Sequence, residues 1–129
     1  MNEPTWLSSV QVKMLHAESL HFFGGSPGIR DETLLESALG RAHNKWAYDN
    51  RVSIFELAAA YGFGIARNHA FVDGNKRTSL LSMRAFLFSN GYSLSQDEIE
   101  TVTMIEGLAQ GVVDEALIAS WLESNSKKR

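Results

Sequence analysis

Residues 68–78, NHAFVDGNKRT, bring His69, Asp73, Asn75, Lys76, Arg77 and Thr78 together in one short connection. A link between two apolar helices needs one or two polar residues for turning and capping, and this one has six. Lys76 and Arg77 stand where a helix is predicted to begin, a place where the helix dipole disfavours cations by ~0.3–1 kcal/mol each. A bound anion reverses that sign. A helix N-terminus offers free backbone N–H groups, and Gly74 lets the backbone come close to a ligand. Lysine adds a point charge and arginine a forked donor set, a combination suited to a polyphosphate. Asp73 is the one carboxylate in the segment and is the candidate metal ligand, since Mg²⁺ takes carboxylate and phosphate oxygens together. His69 is the segment's one residue of the type that exchanges protons near neutrality, which makes it the candidate base for a hydroxyl. Each residue also has an ordinary reading. Asp73 can cap the helix, His69 can donate to a carbonyl, Asn75 can support the turn, and Lys76 and Arg77 can be solvated. It is their coincidence that points to a site. Neither GxxxxGK[ST] nor GxGxxG occurs, so this is not a known glycine-rich phosphate loop.

The elements that must hold this segment read as helices. Ser8 with Gln11 is a capping box, and Leu7 and Val12 can form its staple, opening a helix that runs to about Phe22 and stops at Gly24 and Gly25. Asp31 caps a second helix reaching Asn44 or beyond. Ser53 with Glu56 opens a third, to about Asn68. Its AAAYGFGIA core places small side chains on every face, as expected of a central helix that its neighbours approach closely. A fourth helix spans 75–89 with a wide apolar surface. Ser95 with Glu98 starts a fifth, weakened and ended by Gly107 and Gly111, and a sixth covers about 113–124. No segment shows sustained strand alternation with hairpin turns. The expected class is all-α, a compact six-helix bundle around a central helix. There is no repeat or linker, so residues 1–129 read as a single domain with ends frayed at about 1–5 and 125–129.

Composition narrows the function. The chain has 129 residues, of which 44% are hydrophobic and 21% charged, with no cysteine, so disulfides, thiolate catalysis and cysteine metal sites are excluded. No window is long and apolar enough to span a membrane, and no basic stretch leads into an apolar run at the N-terminus. A cytoplasmic protein without membrane attachment is expected. The formal charge of −3 is uneven: residues 51–90 carry five basic groups against two acidic ones, between two acidic flanks. That pattern disfavours general nucleic-acid binding, which needs a broad positive footprint, and fits a local anion site.

The block His69-Ala70-Phe71-Val72-Asp73-Gly74-Asn75-Lys76-Arg77-Thr78, with GGSPGIRD upstream at 24–31 and the helical order over about 7–120, resembles the Fic/Doc superfamily in its Doc (death-on-curing) branch. Fic proteins resemble HPFxxGNGRxxR and typically transfer AMP from ATP to a protein hydroxyl. This chain departs from that pattern where Doc does. Lys76 replaces the second glycine and Leu80 the final arginine, which crowds one phosphate position and removes the grip on another. The resemblance therefore implies the toxin of a toxin–antitoxin pair, a protein kinase that binds ATP in reversed orientation. Such a toxin transfers the γ-phosphate to a threonine of translation elongation factor Tu and arrests translation. It assigns the base to His69, Mg²⁺ support to Asp73, and phosphate or loop contacts to Gly74, Asn75, Lys76 and Arg77. AMP transfer is the alternative chemistry, and a non-catalytic nucleotide- or protein-binding member is the second alternative. The loop at 24–31 is expected at the active-site rim, with Phe71 as a hydrophobic anchor.

Three histidines, His16, His21 and His43, have no convergent metal-ligand spacing and read as core-edge or surface residues. Many Fic proteins are silenced by an inhibitory helix resembling [S/T]xxxE[G/N]. Glu106-Gly107 fails that pattern because Val102 stands four residues before the glutamate, so inhibition in cis is not expected. By resemblance the silencer is a separate Phd-like antitoxin whose C-terminal segment folds into a helix in a groove. Leu15, Phe22, Phe23, Phe86 and Phe88 are the candidate lining.

Overall fold

The computed structural model describes residues 2–95 and 97–129. Six helices follow in order: α1 (Ser9–Phe23), α2 (Glu32–Tyr48), α3 (Ile54–Asn68), α4 (Asn75–Ser89), α5 (Glu98–Gln110) and α6 (Glu115–Ser124). Their starts follow local polar chemistry. The Ser8–Gln11 capping box is complete, and Asp31, Ser53 and Asp114 each accept a backbone N–H at the start of α2, α3 and α6. The cap of α5 is Asp97 and not the expected Ser95, because it is Asp97 that accepts from Glu100 N–H. Gly107 does not end α5. It lies against Val113, where an added Cβ would come within 2.5 Å of Cγ2, and the helix continues to a left-handed cap at Gly111.

The central helix is α3, buried from Ile54 to Ala66 except at Glu56 and Phe63. Its glycines are sites of close approach. A Cβ on Gly62 would lie 2.2 Å from Met83 Sδ of α4, and one on Gly64 would lie 2.9 Å from Ala38 Cα of α2. Around it pack Leu35 and Ala42 of α2, Phe86 and Leu87 of α4, Leu108 of α5 and Ile118 and Leu122 of α6. Tyr61 is fully buried. Its hydroxyl accepts from Leu7 N–H (3.2 Å), and burial pushes its pKa up to about 12.

Two departures from expectation concern strands and one residue. Tyr92–Leu94 (β1) pairs antiparallel with Ser126–Lys128 (β2), Tyr92 opposite Lys128. The C-terminal segment expected to fray is thus a strand, secured by Arg129, whose guanidinium donates to the Phe88 carbonyl (2.9 and 3.1 Å). At the other end, Thr5 N–H donates to the Asn90 side chain (2.8 Å). Phe86, expected in a surface groove, is fully buried beside Tyr61, ring centroids 5.0 Å apart. Phe22, Phe23 and Phe88 are exposed, and Leu15 is half-buried.

Candidate active site

The connection between α3 and α4 is built by backbone pairing to the loop at 24–31. His69 caps α3 in the left-handed conformation (φ 50°, ψ 46°), which turns the chain sharply and leaves its side chain exposed. Arg30 closes that helix end, its guanidinium donating to the carbonyls of His69 (2.7 Å) and Asn68 (3.2 Å). Ala70 O accepts from Arg30 and Asp31 N–H, Ile29 and Phe71 form an antiparallel bridge, and Val72 N–H donates to Gly28 O. The loop at 24–31 therefore braces the segment and reaches the rim of the site at Asp73, although none of its own residues lines the cavity. Phe71 is the buried anchor, its ring stacked on His16 at 3.8 Å between centroids.

Asp73 is exposed and held by two backbone donors, Gly74 N–H (2.8 Å) and Ser26 N–H (3.1 Å). The Ser26 and Gly74 hydrogen bonds, with smaller contributions from the charges of His16 and Arg77, hold its carboxyl below the usual aspartate range. It is not the helix cap. Gly74 occupies that position in the left-handed conformation, without a side-chain hydrogen bond. Among the described residues α4 is the one helix whose start no side chain caps. The first backbone bond across its start is Thr78 N–H to Gly74 O (2.9 Å), so the N–H groups of Asn75, Lys76 and Arg77 face outward.

The residues that carry these groups line a cleft of 710 Å³ between α4 and α5. His69, Asp73, Gly74, Asn75, Lys76 and Arg77 form one wall, and all six predicted site residues line it. Leu80, Val102, Ile105 and Ala109 form an apolar wall, with Glu106 and Gln110 beside it. Lys76 Nζ donates to Glu106 Oε1 at 2.7 Å. Arg77 lies over the Phe23 ring, 4.0 Å from its centroid. Asn75 has a mainly architectural part: its amide accepts from Phe71 N–H (3.0 Å) and donates to Phe71 O (2.9 Å), clamping the turn. Thr78 is fully buried and does not reach the cleft.

His16, expected at the core edge or the surface, lies at the core edge, and what sequence reasoning missed is its contact with the site loop. His16 is 5% exposed, its ring packs on Phe71, and Nε2 lies 2.8 Å from the carbonyl of Asp73. It positions the loop from α1. The available signal was its spacing, since His16 lies four residues after Val12 on the buried face of α1.

A mainly helical bundle thus presents an uncapped helix end, two cations and an exposed histidine at one cleft between α4 and α5, an arrangement whose chemistry suits an anion. The family follows from comparison. A model described as the Fic/DOC family matches residues 6–87, well over half of the chain, and the chain belongs to that family. It is 34% identical over 116 residues to "Protein kinase doc" of Escherichia phage P1, covering 90% of this chain and 91% of that protein. It is 41% identical over 76 residues to "Toxin Doc" of Mycolicibacterium smegmatis, covering 58% of each.

Proposed function

We propose that this chain is the toxin of a toxin–antitoxin pair and acts in the cytoplasm as a Doc-type protein kinase. It moves the γ-phosphate of ATP to a serine or threonine hydroxyl of a translation factor, with elongation factor Tu the expected target. The observation that carries this reading is the wall at Leu80. Where the Fic pattern has its phosphate-gripping arginine, the cleft is apolar, and Lys76 fills the position of the Fic glycine. The names of the two relatives, a protein kinase and a toxin, support the same reading.

The residues fit a magnesium–nucleotide complex. Among the described residues no three His, Asp or Glu side chains gather as a complete metal cage. An ionised Asp73 beside outward N–H groups suits a cation shared with phosphate oxygens, the habit of Mg²⁺ at nucleotide sites. Bound there, the cation would offset charge on the phosphates. His69 accepts the proton of the target hydroxyl as its oxygen attacks the γ-phosphorus and the bond to the ADP oxygen breaks. Lys76, Arg77 and the N–H groups at the start of α4 hold the charge of the transferring group in place. The antitoxin has a surface to bind: Val10, Met14 and Phe22 of α1 are exposed on one side of the helix, apolar residues suited to an amphipathic helix, and Phe23 is exposed at its end beside Arg77.

Expression in a bacterial host tests the reading. Induction of the chain alone is expected to stop protein synthesis, and mass spectrometry of the lysate should find a phosphorylated serine or threonine that is absent with His69→Asn. Unimpaired growth with no His69-dependent acceptor would overturn the assignment.

A further inference from the structure

Glu106 is the second carboxylate of the cleft, and nothing in the mechanism above uses it. It reaches Lys76 from the opposite wall, α5 against α4, and the pair is half-exposed, with side-chain exposures of 50% for Lys76 and 44% for Glu106. An ion pair this accessible adds little to stability, so the fold does not require it. Its effect on the cleft is larger. The charged side chains lining the cavity are Asp73 and Glu106 against Lys76 and Arg77, and their formal charges cancel. A site for a polyanion with no surplus positive charge is a site with a condition attached.

We propose that Glu106 is a selectivity residue: by neutralising Lys76 it disfavours metal-free phosphate anions and reserves the cleft for polyphosphates that arrive with a divalent cation. The proposal rests on the nucleotide reading of the site. A bare anion entering the cleft meets a lysine already paired and a carboxylate within reach of repulsion, and unit charges a few ångströms apart in a half-exposed cleft shift binding by about tenfold. A polyphosphate that carries its own cation meets Asp73 and Glu106 as attractive groups. A purely positioning role for Glu106, holding Lys76 in place for the ligand, predicts the opposite sign, because its removal would then weaken anion binding.

Calorimetric titration of the full chain with inorganic pyrophosphate in metal-free buffer separates the two. Glu106→Gln keeps the size of the side chain and is expected to bind metal-free pyrophosphate about tenfold tighter than the parent. The gain should vanish when Lys76→Met is combined with it. Adding magnesium should then tighten binding by a larger factor in the parent than in Glu106→Gln. Glu106→Ala, checked for an unchanged melting temperature, serves as a second variant. Unchanged or weaker metal-free binding by a folded variant overturns the proposal. That outcome leaves the kinase assignment to its own test, since it does not depend on which phosphate is transferred.

Discussion

His69 ends α3 in a left-handed backbone conformation that few side chains adopt without cost, and histidine and asparagine are among those that do. Its ring is exposed at the cleft while its carbonyl is fixed by Arg30, so its backbone is structural and its imidazole is free for chemistry. These two roles can be separated. His69→Asn keeps a residue suited to the turn and removes the base, and is expected to lower transfer by ~10²–10⁴-fold with the melting temperature little changed. Kinetics and thermal melting on the same preparation check this; near-parental transfer by a folded variant would remove His69 from the base role. Asp73 divides its work differently. Both carboxylate oxygens accept backbone N–H groups, so the side chain closes the loop onto residue 26 while keeping its negative charge at the cleft.

At the scale of elements, α3 shows how small residues set the positions of catalytic ones. Gly64 faces the backbone of α2, and its replacement sets two effects against each other. Alanine in a helix interior gains about 1 kcal/mol over glycine. The added Cβ would lie 2.9 Å from Ala38 Cα and 3.0 Å from its carbonyl oxygen, and overpacking against backbone typically costs ~1–3 kcal/mol. Gly64→Ala is therefore expected to be destabilising by about 1 kcal/mol net, lowering the melting temperature by a few degrees. An unchanged or raised melting temperature would mean that α2 yields freely. The same helices show what a sequence makes legible. Caps are local signals, which is why Ser8, Asp31 and Ser53 mark the starts of α1, α2 and α3 to the residue, while the expected starts of α5 and α6 fall about two residues early. The site loop was legible because its polar residues interrupt two apolar helices. Contacts between distant segments left no such mark. Ser126–Lys128 is a short polar strand that exists only because β1 is near, the Lys76–Glu106 pair joins residues 30 positions apart, and His16 carries its meaning only once Phe71 is stacked on it.

Across the whole molecule, the bundle places its candidate site at one end of its central helix and exposed apolar side chains along α1. The two regions adjoin. Phe23 ends α1 directly beneath the Arg77 guanidinium, and His16 of the same helix holds the Asp73 carbonyl. The same helix therefore both exposes apolar side chains and supports the site loop. No helix among the described residues is long and apolar enough to cross a membrane. The −3 net charge is uneven, since residues 51–90 carry five basic groups against two acidic ones, between acidic flanks. The central claim, that Lys76 and Leu80 convert a Fic-type cleft to phosphoryl transfer, is tested most directly by the fate of the two ends of ATP. The purified chain is incubated with bacterial lysate and ATP labelled at either the γ- or the α-phosphate, and acceptor proteins are resolved and counted. Label on the acceptor from γ-labelled ATP alone is the expected result; label from α-labelled ATP would contradict it and make the chain a nucleotide transferase.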